Sequence, residues 1–238
     1  MNGVTRKQRE ILLRQELILA ISKELFVKHG YYKVTMDMIA QHAEYAKGTI
    51  YQLFDCKECV CFSLYIKFSE LMLSIVNYIK VEKSLTPIQQ IYCIRDSFIM
   101  LHEQCSDDFS IKQLVSSKLF YSKISSEVVN RSILTNQRIF KAISSIINRA
   151  VLEKHLPETL THQIEHIVLG FWTLINHFDT LNNSVSYEKS LIENTTLYLK
   201  SLEWKDEKIS KNNLLIISKS KLNINLLIKE YLSNNRTM

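Results

Sequence analysis

Residues 18–58 read ILAISKELFVKHGYYKVTMDMIAQHAEYAKGTIYQLFDCKE, and this stretch decides the fold. It closes a helical pattern that starts near Arg6, in which Ile11, Leu17, Ile18, Ile21 and Leu25 recur at three- and four-residue steps. Gly30 follows at once and stops the helix, because glycine enters the left-handed region without a Cβ clash. Thr35 is placed to cap a second, short helix that opens with Met36 and carries Ile39 and Ala40. A third short helix holds Ile50, Tyr51 and Phe54, with Ile50 and Phe54 four apart on one face.

The same period continues outward. A fourth helix is predicted from Lys57 to about Lys80, with Val60, Leu64, Leu71 and Ile75 as its spine. Pro87 suits the first turn of a fifth, where its missing N–H costs nothing. Residues 106–122 read as shorter, mixed pieces. Further helices are expected over 126–152, 160–181 and 187–204, with Pro157 breaking the chain between the first two. The tail, 206–238, is ambiguous: Leu222, Ile224 and Leu226 alternate as in a strand, while the flanks look helical. A solvated, partly ordered extension is the expectation there.

Composition agrees with an all-α chain. Only 4 of 238 residues are Gly and 2 are Pro, where average usage is about 12% for the pair. Sandwiches and barrels with many tight turns need those residues, and phosphate-cradling loops need glycines close together. Gly3, Gly30, Gly48 and Gly170 are far apart. Charge is concentrated at the ends. Residues 1–60 carry nine Lys/Arg against seven Asp/Glu, 61–204 are balanced at fourteen each, and 205–238 carry seven against three. Basic ends are compatible with a polyanionic partner.

Residues 36–54 have the spacing of a helix-turn-helix, whose second helix can enter a DNA major groove. Side chains at the start of that helix must reach base edges, and flanking donors must hold phosphates. Lys47, Thr49, Tyr51 and Gln52 occupy the helix, Thr35 precedes the first helix of the pair, and Lys57 opens the fourth. Gly48 keeps the helix entrance slim. On the pattern alone Tyr51 and Phe54 serve equally well as core, and Lys47 and Lys57 as solvated charges.

The quoted stretch resembles the DNA-binding domain of TetR/AcrR-type transcriptional regulators. The matching positions are Ile18-Leu19, Leu25-Phe26, Gly30-Tyr31, Thr35, Ile39-Ala40, Ala43, Lys47 to Tyr51, Phe54 and Lys57-Glu58. The resemblance implies phosphate contacts from Thr35, Tyr51 and Lys57. It turns Lys47, Thr49 and Gln52 toward the groove, and packs Ile39, Ala40, Ile50 and Phe54 into a small core. Four positions depart from the family's pattern. Glu44 stands where the turn usually has Gly, Ala46 where Ser usually caps the recognition helix, and Ile21-Ser22 where two alanines are usual. The missing cap weakens that helix by about 1 kcal/mol.

The expected organisation follows: a DNA-binding domain over residues 1–56, a helical ligand-binding and dimerisation body over 57–205, and a basic extension over 206–238. A helix-turn-helix monomer reads a half-site, so a homodimer on a near-palindromic, double-stranded operator is expected. The helices at 160–181 and 187–204 would form the interface, with Trp172 and Trp204 as anchors. The resemblance also implies a pocket for a small effector, apolar or amphipathic given the neutral, aromatic-rich body. Its candidate lining is Phe68, Met72, Met100, Phe140, Ile143, Trp172, Ile175 and His177. The expected activity is that of a repressor relieved by this effector.

Two other motifs carry chemistry. Cys56-Lys57-Glu58-Cys59-Val60-Cys61 holds a C-x-x-C at a helix N-terminus, which makes a redox- or metal-responsive regulator the alternative reading. His162-Gln163-Ile164-Glu165-His166 matches a zinc-peptidase pattern, but both histidines fall off the apolar stripe and no third ligand is identifiable. No catalytic residue, metal site or cofactor is assigned, and the chain is expected not to be an enzyme. A helical scaffold is the remaining alternative. The N-terminus lacks the apolar run of a signal peptide and no uncharged apolar stretch reaches a membrane span. The five cysteines read as reduced thiols in a cytoplasm.

Overall fold

The computed structural model describes residues 5–115, 120, 122–177, 187–204 and 211–235, with the side chains of His177 and of 211–216 outside that description. The described residues are helical and contain no strand. In chain order the α-helices are α1 (Arg6–His29), α2 (Met36–His42), α3 (Lys47–Leu53), α4 (Lys57–Val81), α5 (Pro87–Gln104) and α6 (Ser106–Val115). They continue as α7 (Ser126–Leu152), a 3-10 turn (Glu158–Gln163), α8 (Ile164–His177), α9 (Tyr187–Ser201) and α10 (Lys211–Asn234).

The chain folds into two compact units. The first holds residues 1–69, 105–133 and 230–238; the second holds 70–104 and 134–229. In the first, α2 packs on α1 and on α3. Its core gathers Ile18, Leu25 and Phe26 from α1, Ile39 and Ala40 from α2, Ile50 and Phe54 from α3 and its end, and Val60, Phe62 and Leu64 from α4. Ile111, Val115, Phe120 and Ile124 complete it. Phe68 belongs to an aromatic cluster of the same unit, 5.2 Å from Phe109 and 6.4 Å from Tyr231 between ring centroids.

In the second unit α9 packs on α8 and on α5. Gly170 leaves room for the tip of the Tyr198 ring: a Cβ there would lie 2.5 Å from the Tyr198 hydroxyl, which donates to the Ile167 carbonyl at 2.8 Å. Trp172 sits between Phe98 and Phe140, at 5.8 Å from each ring. Trp204 lies past the end of α9 and is buried within the single chain, so it is not an anchor left over for a partner.

Three sequence expectations are corrected. The helix expected from 160 begins as a 3-10 turn and becomes α-helical only at Ile164; its predicted end, 178–181, lies outside the described residues. The helix expected over 187–204 closes at Ser201. Over its described residues the tail is helical, neither a strand nor a solvated extension: α10 buries Ser220, Ile224 and Ile228, and exposes Leu222 and Leu226. Four-residue spacing of Ile224 and Ile228 outweighs the local alternation. Elsewhere α4 is long and apolar enough to cross a membrane by length and composition, but 72% of that window is buried inside the fold, as in a core helix.

Candidate nucleic-acid interface

The interface is built from α2, α3 and the segments around them. Gly30 ends α1 at φ 80°, and its N–H donates to the Phe26 carbonyl. The chain then runs through Tyr31 and Val34, both buried, to Thr35. Thr35 caps α2: its hydroxyl accepts the Met38 N–H at 3.2 Å. The turn that follows is less comfortable. Glu44 adopts φ 55°, the left-handed region that costs a non-glycine residue about 1–2 kcal/mol. Ala46 occupies the N-cap of α3 and supplies no side-chain hydrogen bond.

Helix α3 has two faces. Ile50 is fully buried, and Phe54 is buried just past the last turn. Lys47, Gly48, Tyr51 and Gln52 are exposed and Thr49 is half-buried. Tyr51 leaves 48% of its surface in solvent. A Cβ built on Gly48 would meet nothing within 4 Å, so no packing inside the chain calls for glycine there. Lys47 reaches back to α2 and pairs with Asp37, an exposed contact that a phosphate can displace.

Lys57 is placed differently from a solvent-facing cation. Its ammonium donates to the Tyr31 and Val34 carbonyls, both at 2.8 Å, and sits 4.3 Å from the centre of the Tyr31 ring. Burial holds its pKa below the ordinary lysine value. Lys57 thus ties the N-terminus of α4 to the segment that leads into α2. Beside it, burial works to raise the Glu58 carboxyl, but the Lys123 ammonium at 2.8 Å outweighs this and keeps it below the ordinary carboxylate range.

Of the residues read from the sequence, Lys47, Gly48, Thr49, Tyr51 and Gln52 share one short helix, with Thr35 at the start of the helix before it. The roles of Asp37 and Tyr31 emerge only in three dimensions. Tyr31 is legible in the sequence as part of the turn after Gly30, and nothing there marks it as the platform for Lys57. Among the effector-pocket candidates, Phe140 and Trp172 are in contact, Met72, Ile143 and Ile175 are buried, Met100 is half-buried, and Phe68 lies in the first unit. The His177 side chain lies outside the described residues. His162 and His166 are exposed, and His162 lies in the 3-10 turn that ends before the α-helix carrying His166. No group of three or more His, Cys, Asp or Glu suited to a metal occurs among the described residues.

The model for bacterial regulatory proteins of the tetR family matches residues 18–60. No curated protein matches the chain. Among solved structures, the SmeT–triclosan complex superposes with a TM-score of 0.63 at 17% identity, covering 82% of this chain and 93% of SmeT. The regulator PfmR from Thermus thermophilus gives 0.61 at 14% identity, over 80% of this chain and 99% of its own. A regulatory protein from Rhodococcus RHA1 gives 0.63 at 14% identity, over 81% and 98%. At such identities the structures speak for the fold, and the motif match speaks for the helix-turn-helix. Residues 18–60 therefore carry a tetR-type DNA-binding helix-turn-helix, and the chain has the fold of the solved TetR-family regulators.

Proposed function

We propose that the chain is a homodimeric, cytoplasmic repressor that binds a near-palindromic operator through α3 and is released by a small molecule, without enzymatic activity. The observation that carries this reading is the outer face of α3. Tyr51 and Gln52 stand exposed on a helix whose other face is buried, and Gly48 leaves open space where packing asks for none. Glycine is a poorer helix former than alanine, so the gap is explained best by an outside surface that comes close. In this reading residues 1–56 contact DNA, with Thr35 and Tyr51 on phosphates and Lys47, Thr49 and Gln52 in the groove. Lys57 acts there by fixing the approach to α2. Residues 57–205 dimerise and sense, and the extension 206–238 adds α10.

Exposed leucines on two packed helices, Leu169 of α8 and Leu197 of α9, support a two-fold interface that would cover them. The aromatic group Phe98, Phe140 and Trp172 is the best-supported place for an apolar effector; Met100, Ile143 and Ile175 would extend it. Family members typically dimerise and bind small effectors. An effector that binds better to the form unable to hold DNA would release the operator.

Selection of bound duplexes from a random pool tests the reading. Wild type should enrich a sequence with two-fold symmetry, and Tyr51→Ala should weaken binding broadly across sequences, as loss of a phosphate contact does. Failure to enrich any duplex, or unchanged binding by Tyr51→Ala, would refute it. A monomer in sedimentation at micromolar concentration would remove the dimer.

A further inference from the structure

The five cysteines divide sharply. Cys61, Cys93 and Cys105 are buried, and burial pushes each thiol up to about 12, which keeps them protonated and unreactive. Cys56 is half-exposed and its sulfur lies 3.1 Å from that of Cys59. The two flank Lys57 and Glu58 at the start of α4. The Cys56 sulfur also accepts the Cys59 N–H at 3.3 Å, so it serves as the N-cap of a 25-residue helix. Burial, with the adjoining Cys56, pushes the Cys59 thiol up to about 12, so Cys59 waits as a neutral partner while Cys56 meets solvent.

We propose that Cys56 and Cys59 form a peroxide-reactive dithiol, and that closing their disulfide loosens the Lys57 tie to the residues ahead of α2. The chemistry balances with a hydroperoxide as the oxidant. The Cys56 sulfur attacks a peroxide oxygen and the O–O bond breaks, giving a sulfenic acid and water. The Cys59 sulfur then attacks the Cys56 sulfur. The S–O bond breaks, the S–S bond forms, and the hydroxide leaves as water with the Cys59 proton. Two thiols and one hydrogen peroxide become one disulfide and two waters; the sulfurs lose two electrons and the peroxide gains them.

The geometry is nearly in place. Residues three apart at a helix start have Cβ atoms about 5–6 Å apart and can be bridged once they draw slightly closer. The sulfurs, now 3.1 Å apart, must close by about 1 Å to reach bonding distance. That movement falls on the backbone carrying Lys57, whose ammonium holds the Tyr31 and Val34 carbonyls. It also takes the Cys56 sulfur from its contact with the Lys123 carbonyl at 3.6 Å. The bond chemistry stands on these contacts alone; its consequence for DNA rests on the function proposed above.

The test uses the full chain. Reduced protein is treated with hydrogen peroxide, alkylated after denaturation, and mapped by mass spectrometry. The peptide containing residues 56–59 should lose two mass units and resist alkylation, while Cys61, Cys93 and Cys105 are alkylated. In Cys59→Ser, Cys56 should instead be trapped as a sulfenic acid by dimedone. Duplex affinity, read by fluorescence polarisation, should fall roughly fivefold or more on oxidation and return with a phosphine reductant. Cys56→Ser keeps an N-cap and should bind DNA like reduced wild type, with or without peroxide. Alkylation of both thiols after peroxide, or bridging between chains only, overturns the assignment. A disulfide that leaves affinity unchanged overturns the switch. If reduced wild type binds no duplex, the DNA-binding reading and the switch fall together, while the mass result still decides the dithiol.

Discussion

Asp108 is the most demanding group in the first unit. It is a carboxylate with 1% of its surface exposed, paired with Lys23 of α1 and accepting the Tyr231 hydroxyl at 2.9 Å. Tyr231 lies in α10, so the chain's last helix is tied to the helix that starts the DNA-binding region. Lys23→Met removes the countercharge and leaves the carboxylate buried without it. Breaking a buried pair from one side costs about 3–5 kcal/mol, because the remaining ion is uncompensated. For a chain of this size that is a fall in Tm of roughly 6–20 °C. Tyr231→Phe removes one hydrogen bond to a charged group and should cost about 1.5–3 kcal/mol. The triple replacement Lys23→Met, Asp108→Leu and Tyr231→Phe should recover much of the loss, since an apolar set of similar volume needs no pairing.

Two optical signals separate the units during denaturant unfolding. Far-UV circular dichroism follows every helix, whereas both tryptophans, Trp172 and Trp204, lie in the second unit and report on it alone. The loss from Lys23→Met should therefore appear as an earlier dichroism transition that precedes the fluorescence change. A cost under about 1 kcal/mol, the range of hydrated surface pairs, would refute the reasoning. So would a triple variant no more stable than Lys23→Met.

Three further substitutions probe the interface. Glu44→Gly relieves the positive φ and removes a negative charge beside α3; stability should rise by about 1 kcal/mol in urea unfolding, with tighter duplex binding. Gly48→Ala should leave stability equal or raise it by up to about 1 kcal/mol while weakening operator binding, if the open space beside it is filled by the duplex as proposed; undiminished binding in a polarisation titration would refute that. Glu58 has a depressed pKa, so its pairing with Lys123 contributes stability above the ordinary carboxylate range and loses it as pH falls through the folded value. Glu58→Gln should flatten the acid side of a Tm-against-pH profile and leave the neutral side nearly parallel to wild type.

Local chemistry made much of the fold legible. Gly30, Thr35 and Pro87 mark helix ends through their own backbone preferences, and each stands where those preferences place it. The Thr5–Gln8 capping box that starts α1 is a local signal of the same kind. What stayed hidden depends on partners distant in sequence. Nothing local separates Asp107 from Asp108 at the start of α6, yet Lys23 and Tyr231 hold Asp108 alone as a buried partner. Lys57 reads as a free cation until the Tyr31 and Val34 carbonyls converge on it. In α10 the alternation of Leu222, Ile224 and Leu226 gave way because Ile224 and Ile228 had a core to enter.

The recognition helix itself is the element least able to stand alone. It has 7 residues, well short of the roughly 12–15 needed for marginal stability in water. It lacks a capping side chain, carries Gly48 in its first turn, and follows a residue held at positive φ. Local energetics therefore oppose α3, and its order comes from Ile50 and Phe54 entering the core of the first unit. Core packing of that kind fixes where the helix lies only as well as the surrounding segments are fixed. Lys57 is a side-chain contact that secures the residues leading into α2, and it stands between Cys56 and Cys59 in the sequence. If the proposed disulfide shifts the start of α4 by about 1 Å, the contacts of one ammonium with two carbonyls are the route by which α2 and α3 would feel it, where little local stability resists the change.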